Sequence, residues 1–366
     1  MNTPLPVSNL NTICPYYTMF PLDFPLSVLT SRVSPGEWVL DPFCGRGTTN
    51  FSARLLGLNS VGIDSSPVAV AIAAAKLASA APEEVVEEAR HILASAPEVE
   101  PPDGAFWSLA YHPDMLVNLC RLRAALIEDC SSDVRKLLRA VLLGALHGPV
   151  NRHVPSYFSN QCPRTFAPKP RYAVKYWTQR NLVAPPIDIL RIVEQRAHRA
   201  LRNLPIAVEG QIVESDSRTH VAWTGINVRF RWIVTSPPYY GMTTYLPDQW
   251  LRHWFVGGPT EVFYGRAGQV SHHSPEEFAN DLATVWGHAA TKCDPRAEMV
   301  VRFGVLGSRN GDPMTILLRS LVDTGWQVLE SRPAGSPSRG RRQADQFGLP
   351  ASAPTKEELD VRCRIA

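Results

Sequence analysis

Short apolar runs, most of them ending in a polar residue, alternate along the chain with longer segments whose apolar residues recur every three or four positions. Runs bounded in this way are typical of buried strands, and the longer segments are typical of helices. When strands and helices alternate, the strands usually lie parallel in a sheet that helices cover. The sequence therefore predicts a doubly wound α/β protein. Its predicted strands are 37–40, 60–63, 211–213, 230–234, 299–303 and 326–329.

The alternation is interrupted between the second and third predicted strands. After the helix that follows the second strand, this stretch contains further predicted helices and a loop rich in proline, asparagine and aromatic residues. We therefore expect a helical, basic insertion between these strands of one α/β domain. The predicted parts are 1–104 as the first half of the domain, 105–205 as the insertion, 206–348 as the second half and 349–366 as a tail.

The charge is distributed unevenly. The formal net charge of the 366 residues is only +3, but segment 105–205 holds 15 basic and 6 acidic residues, and segment 82–104 is strongly acidic. A clustered basic excess is typical of a surface that binds phosphates. A solvated helical face would have the same composition, so charge alone leaves both interpretations open.

Composition excludes several classes of protein. Hydrophobic residues make up 45% and charged residues 19%, as in ordinary globular proteins, and no apolar run is long enough to span a bilayer. The N-terminus lacks the pattern of a secretory signal, so we expect a cytoplasmic protein with no membrane partner. The seven cysteines lack the spacing of a zinc site or a disulfide framework, so no metal is expected.

A glycine-containing turn follows the first predicted strand. Gly45 and Gly47 lie where small residues let a ligand approach the backbone and the N-terminus of the next helix. Asp64 ends the next strand, where a carboxylate commonly binds a ribose. A dinucleotide cofactor is compatible with this arrangement, although the third glycine of GxGxxG is missing, and no phosphate-binding P-loop sequence occurs.

The second chemical signal is Thr235-Ser-Pro-Pro-Tyr239, at the end of a predicted strand. Two successive prolines stiffen the strand end and remove two backbone donors, which leaves carbonyl oxygens as acceptors. Ser236 and Pro237 can then accept hydrogen bonds from an exocyclic amine while Tyr239 stacks on the ring. Alone, such a sequence is more often a turn or a polyproline ligand. Together with the glycine turn and Asp64, it favours a site for a planar amine.

These motifs together resemble the S-adenosylmethionine-dependent amino-methyltransferases that modify DNA bases. The resembling segments are Tyr16 to Pro21 (motif X), Asp41 to Thr49 (motif I), Gly62 to Ala69 (motif II), Ser215-Asp216 (motif III) and Thr235 to Tyr240 (motif IV). Motif IV has the serine form associated with cytosine-N4 methylation, whereas adenine-N6 enzymes usually have Asp or Asn. Many cytosine-N4 enzymes are circularly permuted with motif IV first, and this chain is not. The resemblance implies a Rossmann-like methyltransferase sheet.

The resemblance also implies a cofactor, a substrate and site residues. S-adenosylmethionine would donate a methyl group to the N4 amine of a cytosine that is flipped out of double-stranded DNA. Cognate restriction or defence-system proteins would be functional partners. The cofactor-binding residues would be Tyr17, Phe20, Asp41, Phe43, Gly45, Gly47, Thr48, Asp64 and Asp216. The catalytic residues would be Ser236, Pro237, Pro238 and Tyr239.

Segment 151–176 is the candidate contact with DNA, because it interleaves basic and aromatic residues and has no acidic residue up to position 175. Its candidate DNA-binding residues are Arg152, Arg164, Lys169, Arg171 and Lys175. A loop that packs its aromatic side chains on the core is nearly as good an explanation.

Two other functions stay open beside the preferred one. The acceptor can instead be adenine N6 or a base amine of RNA. The chain can also be an inactive module that binds the cofactor and nucleic acid, although the intact sequence from Ser236 to Tyr239 speaks against that.

Overall fold

The computed structural model describes residues 8–16, 20–30, 32–148, 155–159, 169–242, 246–262, 269–306, 311–335 and 358–366. These residues divide into two compact units. The sheet unit consists of the described residues within 16–77, 206–244 and 266–366. The helical unit consists of those within 1–15, 78–205 and 245–265.

A seven-stranded sheet forms the centre of the sheet unit. Its strands are β1 (Trp38–Asp41), β2 (Asn59–Asp64), β3 (Gly210–Glu214), β4 (Phe230–Thr235), β5 (Cys293–Phe303), β6 (Trp326–Gly335) and β7 (Glu358–Ile365). The strand order is β3-β2-β1-β4-β5-β7-β6, and β1 to β5 pair in parallel. β7 lies antiparallel to both β5 and β6. The predicted doubly wound, Rossmann-like sheet is thereby confirmed.

Helices make up most of the remaining regular structure. In the sheet unit they are α1 (Asp23–Leu29), α2 (Thr48–Leu55), α3 (Pro67–Leu77), α10 (Val221–Thr224), α12 (Pro275–Thr291) and α13 (Pro313–Leu321). In the helical unit they are α4 (Pro82–Ser95), α5 (Ala105–Ala110), α6 (Pro113–Glu128), α7 (Asp133–Ala145), α8 (Pro170–Gln179), α9 (Ile189–Leu201) and α11 (Trp250–Phe255). None of these described helices is long and apolar enough to cross a membrane.

Both faces of the sheet are covered, because successive strand residues point to opposite sides. Leu40 and Ile233 belong to the larger apolar core, which includes Trp286 of α12. Val39 and Val234 belong to a second core that packs under α1. The central strands are therefore buried on both sides, and ligands of such sheets bind at the edge formed by the carboxyl ends of the strands.

The helical segment between β2 and β3 is confirmed, but the helical unit is larger than the predicted 105–205. Besides 105–205, it includes the described residues within 1–15, 78–104 and 245–265. The physical reason is that α4 is amphipathic and packs against α7 and α9, burying Val85, Ala89 and Ile92. The acidic charge of this segment thus lies on a helix that the unit needs for its core.

The prediction of a tail over 349–366 is wrong for Glu358–Ile365, which forms β7 in the interior of the sheet. Val361 and Cys363 are completely buried and alternate with Arg362, which forms an ion pair with Glu298 of β5. This alternation has the period of two that is typical of a strand. The strand signal was present in the sequence, and the charged residues within it obscured it.

Candidate active site

The carboxyl ends of the neighbouring strands β1 and β4 are joined by side chains. Thr235 Oγ1 donates a hydrogen bond of 2.6 Å to Asp41 Oδ1, which also accepts from the backbone N–H of Phe43 at 3.1 Å. Asp41 is fully buried, and its Oδ2 has no hydrogen-bond partner among the described residues. Burial raises the pKa of Asp41 from 3.8 to about 6, although the bond from Thr235 lowers it.

The glycine turn between β1 and α2 is fixed by both of its predicted glycines. Gly45 and Gly47 have φ angles of 50° and 72°, a region that favours glycine. A Cβ on Gly47 would lie 2.8 Å from the Cβ of Ala73 in α3, so a side chain does not fit there. A Cβ on Gly45 would meet nothing within 4 Å. The turn is thus closed towards α3 and open at Gly45.

Asp64, at the end of β2, holds this turn in place. Its Oδ2 accepts a hydrogen bond of 2.8 Å from the Gly45 N–H, and its Oδ1 accepts one of 2.8 Å from the Ser66 N–H. Burial raises the pKa of Asp64, and the charge of Glu214 adds to the effect. The structure gives Asp64 a structural role in the turn, and its predicted contact with a ribose stays a prediction.

Asp216 follows β3 and is bound by Arg218. The guanidinium contacts Asp216 Oδ2 at 2.6 Å and Asp281 Oδ2 at 2.8 Å. Burial raises the pKa of Asp216, but the hydrogen bonds from Arg218 outweigh it, so the net pKa is below its usual value. Asp216 is therefore an oriented carboxylate, and its predicted position beside an adenine ring is untested.

The remaining predicted cofactor residues that the structure describes lie in the same unit. Phe43 is half-buried and meets Trp286 edge to face, with 5.9 Å between ring centroids. Thr48 is the first residue of α2 and is 4% exposed. Phe20 packs edge to face on Phe24 at 5.3 Å. Tyr17 lies outside the described residues. The structure thus brings Phe43 and Thr48 to the glycine turn and shows Phe20 against α1.

The four predicted catalytic residues follow β4 directly. Ser236 and Pro238 are partly exposed, whereas Pro237 is buried. Tyr239 is 8% exposed and meets Phe303 edge to face at 6.1 Å. Its hydroxyl forms hydrogen bonds with Ser236 and with Glu358 of β7. Stacking of this ring on a base stays a prediction, because little of the side chain is accessible in the structure.

Three of the predicted DNA-binding residues, Lys169, Arg171 and Lys175, are described and exposed in the helical unit. Tyr172 and Tyr176 of α8 stack with 6.5 Å between ring centroids. The guanidinium of Arg180 lies 4.0 Å from the Tyr176 ring centroid. Arg152 and Arg164 lie outside the described residues. The exposed part of α8 thus combines cations with aromatic rings.

The sequence reasoning missed two residues of the sheet unit. Thr49 of α2 donates a hydrogen bond of 3.0 Å to the carbonyl oxygen of Val234 in β4, which fixes the glycine turn to the strand that precedes Ser236. Glu358 is 9% exposed and contacts Tyr239 from a strand that was not predicted. No sequence signal could have connected Glu358 with Tyr239, since the two are far apart in the chain.

Comparison with known proteins gives two sequence matches near the N-terminus. Residues 6–75 match the N6/N4 family of DNA methylases. The Type II methyltransferase M.BsoBI of Geobacillus stearothermophilus is 53% identical over 36 residues, which are 10% of this chain and 7% of that protein. The aligned part of the chain therefore spans less than a tenth of this relative. Both matches support the DNA amino-methyltransferase family, whose members use S-adenosylmethionine.

Solved structures give further likenesses at low identity. The rRNA methyltransferase aviRa of Streptomyces viridochromogenes is 13% identical, with a TM-score of 0.35 and coverage of 96% of this chain and 87% of that chain. The [4+2]-cyclase SpnF is 11% identical, with a TM-score of 0.38 and coverage of 98% and 92%. The fold assignment rests on the strand order of the sheet.

Proposed function

We propose that this chain belongs to the S-adenosylmethionine-dependent DNA amino-methyltransferases and transfers a methyl group to the exocyclic amine of a DNA base, with cytosine N4 as the preferred acceptor. The matches to that family support this. The observation that supports this most is the 2.6 Å contact between Thr235 and Asp41. It holds Ser236 and the glycine turn at the same edge of the sheet. The proposed site for the methyl donor and the proposed site for the amine would therefore be adjacent.

The residues of this edge fit the cofactor. Asp41 Oδ2 is a buried acceptor with no partner among the described residues, so it can accept a hydrogen bond from the ammonium group of the methionine moiety. Gly45 leaves open space where any other residue would have a side chain. The further contacts that we propose are those of Tyr17, Phe20, Phe43, Gly47, Thr48, Asp64 and Asp216.

When bound, S-adenosylmethionine supplies a methyl group that its sulfonium charge already activates, so the protein needs no covalent nucleophile. The protonation of Cys44, the cysteine of the glycine turn, is consistent with a reaction that has no covalent nucleophile. Burial raises the pKa of its thiol well above the usual value, and the charges of Asp64 and Asp41 add to the effect. The thiol therefore stays protonated and is a poor nucleophile.

The chain's own contribution is to orient the amine. Ser236 Oγ and the carbonyl oxygen of Pro237 would accept hydrogen bonds from the amine N–H groups, which directs the nitrogen lone pair at the methyl group. A base in a duplex would first have to leave the stack. The serine at position 236, in place of the Asp or Asn usual for adenine-N6, supports cytosine as the acceptor.

Double-stranded DNA is the proposed partner, and a cognate restriction or defence-system protein is a further one. The exposed cations Lys169, Arg171 and Lys175 support the first, because cations beside aromatic rings suit phosphates and bases together. We extend the same role to Arg152 and Arg164.

Mass spectrometry of nucleosides tests the proposal. Duplex DNA and RNA are each incubated with the protein and isotope-labelled S-adenosylmethionine, and we expect labelled N4-methylcytosine from DNA alone. Labelled N6-methyladenine without N4-methylcytosine would move the acceptor to adenine, and label in RNA alone would move the substrate to RNA. Cofactor binding without any labelled nucleoside would indicate an inactive module.

The matched variants for this experiment are two serine-to-alanine changes in the sheet unit. Ser236→Ala removes the proposed acceptor and is expected to abolish labelling. Ser331→Ala removes an exposed hydroxyl of β6 and is expected to leave labelling unchanged. Equal labelling by both variants would contradict the role of Ser236.

A further inference from the structure

Glu358 is a buried carboxylate of the sheet unit that the proposed function does not yet use. It is the first residue of β7 and is 9% exposed. Gly304, which directly follows β5, leaves the room that lets Glu358 and Tyr239 meet. A Cβ on Gly304 would lie 3.1 Å from Tyr239 Cε2 and 3.4 Å from Glu358 Cγ. The absence of a side chain at position 304 thus leaves room for Glu358 beside Tyr239, the last of the proposed catalytic residues.

Ser236, Tyr239 and Glu358 form two successive hydrogen bonds, and each is donated in the direction of Glu358. The Tyr239 hydroxyl donates a hydrogen bond to the Glu358 carboxylate and accepts one from Ser236 Oγ. Since its single proton is used in the bond to Tyr239, Ser236 Oγ keeps its lone pairs for a donor on its other side. A chain of hydrogen bonds therefore leads from the proposed amine acceptor to a buried carboxylate.

One cation, Arg302, lies near both Tyr239 and Glu358. Arg302 faces both Tyr239 and Glu358, but its guanidinium is bound by both oxygens of Asp360 at 2.7 Å each. Arg302 is therefore shared between Asp360 and the pair formed by Tyr239 and Glu358. Burial raises the pKa of Tyr239 well above its usual range, and the charge of Glu358 adds to the effect, so the phenol stays neutral.

We propose that Glu358 receives the proton that the target amine loses, through a relay formed by Ser236 and Tyr239. This inference rests on the proposed function, because an amine nitrogen that has gained a methyl group carries a positive charge and must release one proton. The N–H bond breaks and its electron pair stays on nitrogen. The proton passes to Ser236 Oγ, the Ser236 proton to the Tyr239 oxygen, and the Tyr239 proton to Glu358. The products are a neutral methylated amine and a protonated Glu358, which returns its proton to water.

Glu358 would act through other side chains and is therefore a positioning residue. Glu358→Gln keeps the size of the side chain and an acceptor oxygen for Tyr239 but cannot take up a proton. We expect its single-turnover rate of methyl transfer to fall by about 100-fold, the size of a general-base contribution. Its affinities for cofactor and DNA should stay within about twofold of the unmodified protein, and Glu358→Asp should restore part of the rate.

Rescue by a second carboxylate separates a relay from simple support of Tyr239. Glu358→Gln keeps an acceptor for the Tyr239 hydroxyl but cannot take up the proton, whereas Glu358→Asp can, so only Glu358→Asp should keep part of the single-turnover rate. Tyr239→Phe interrupts the relay and should show the same loss of rate. Glu276→Gln is the matched control, because Glu276 is an exposed carboxylate of α12 in the same unit. It should behave as the unmodified protein.

A measurement without cofactor or DNA tests the contact itself. Because Tyr239 and Glu358 are hydrogen-bonded, their substitutions should not be additive, and the double variant Tyr239→Phe/Glu358→Gln should melt at nearly the same temperature as the lower-melting single variant. Additive shifts in melting temperature would contradict the contact.

If the unmodified protein methylates no base, the proposed function and the relay are both overturned. If it methylates DNA and Glu358→Gln is equally fast, the relay alone is overturned.

Discussion

Thr235 Oγ1 donates a hydrogen bond of 2.6 Å to Asp41 Oδ1, although the two residues are 194 positions apart in the chain. This bond connects the strand that carries the glycine turn with the strand that carries Ser236. The carboxylate that accepts it is completely buried, and the backbone N–H of Phe43 donates to the same oxygen. Together with the hydrogen bond from Thr49 to the Val234 carbonyl oxygen, it helps to fix the proposed donor site relative to the proposed acceptor site.

Replacement of Thr235 tests this bond. Thr235→Val keeps the shape of the side chain but removes the hydroxyl, which should lower the free energy of unfolding by about 1–3 kcal/mol because a buried carboxylate loses a donor. Urea denaturation at neutral pH measures the change. Thr235→Ser keeps the hydroxyl and should lose less. Equal stability of Thr235→Val and the unmodified protein would show that the bond contributes nothing.

The raised pKa of Asp41 predicts a pH dependence of stability. Since its pKa is about 6 in the folded state and 3.8 in the unfolded state, the folded protein binds the proton more tightly. The stability that this provides is fully present below 3.8 and is lost as the pH rises through 6. Relative to Asp41→Asn, the unmodified protein should lose about 2 kcal/mol between about pH 4.5 and 7.5. Urea denaturation of both proteins across this range measures it, and a constant difference between them would contradict the raised pKa.

Substitutions of two glycines with nearly the same φ angle can distinguish the cost of backbone strain from the cost of a steric clash. Gly47 and Gly57 have φ angles of 72° and 71°, but only at Gly47 would a Cβ meet another atom, 2.8 Å away in Ala73. Gly57→Ala should therefore cost about 1 kcal/mol of unfolding free energy from backbone strain alone. Gly47→Ala should cost about 2–4 kcal/mol, since overpacking is added. Chemical denaturation of both variants compares them, and equal losses would show that α3 moves away freely.

The exposed cations of α8 are expected to bind DNA. Reversal of charge in Lys169→Glu/Arg171→Glu/Lys175→Glu should weaken binding to duplex DNA, and the dependence on salt should become shallower because fewer counterions are released. Cofactor affinity should be unchanged. Arg90→Glu, on the exposed face of the acidic helix α4, is the matched control and should have little effect. Titrations of duplex DNA at several salt concentrations measure both effects. Unaltered, salt-insensitive binding by the triple variant would refute the proposed role of these cations in binding DNA.

The sequence by itself determined the elements around the site. The strands that end at Asp41, Asp64 and Thr235 were predicted from apolar runs, because a central strand of a parallel sheet is buried on both faces and must be continuously apolar. The glycine turn was predicted for a similar reason, since positive φ angles at positions 45 and 47 favour glycine. Burial of a strand and a positive φ angle are local requirements, so neighbouring residues in the sequence are enough to predict them.

The tertiary structure alone decided which of these groups touch. Asp64 binds the backbone of the glycine turn, Thr235 binds Asp41, and Glu358 reaches Tyr239 from a segment that was predicted to be a tail. Each contact joins residues that are distant in the chain, and the order of the strands brings them together. A hydrogen bond between distant residues leaves no periodic pattern in either segment. Its partners can therefore be identified only from the folded sheet.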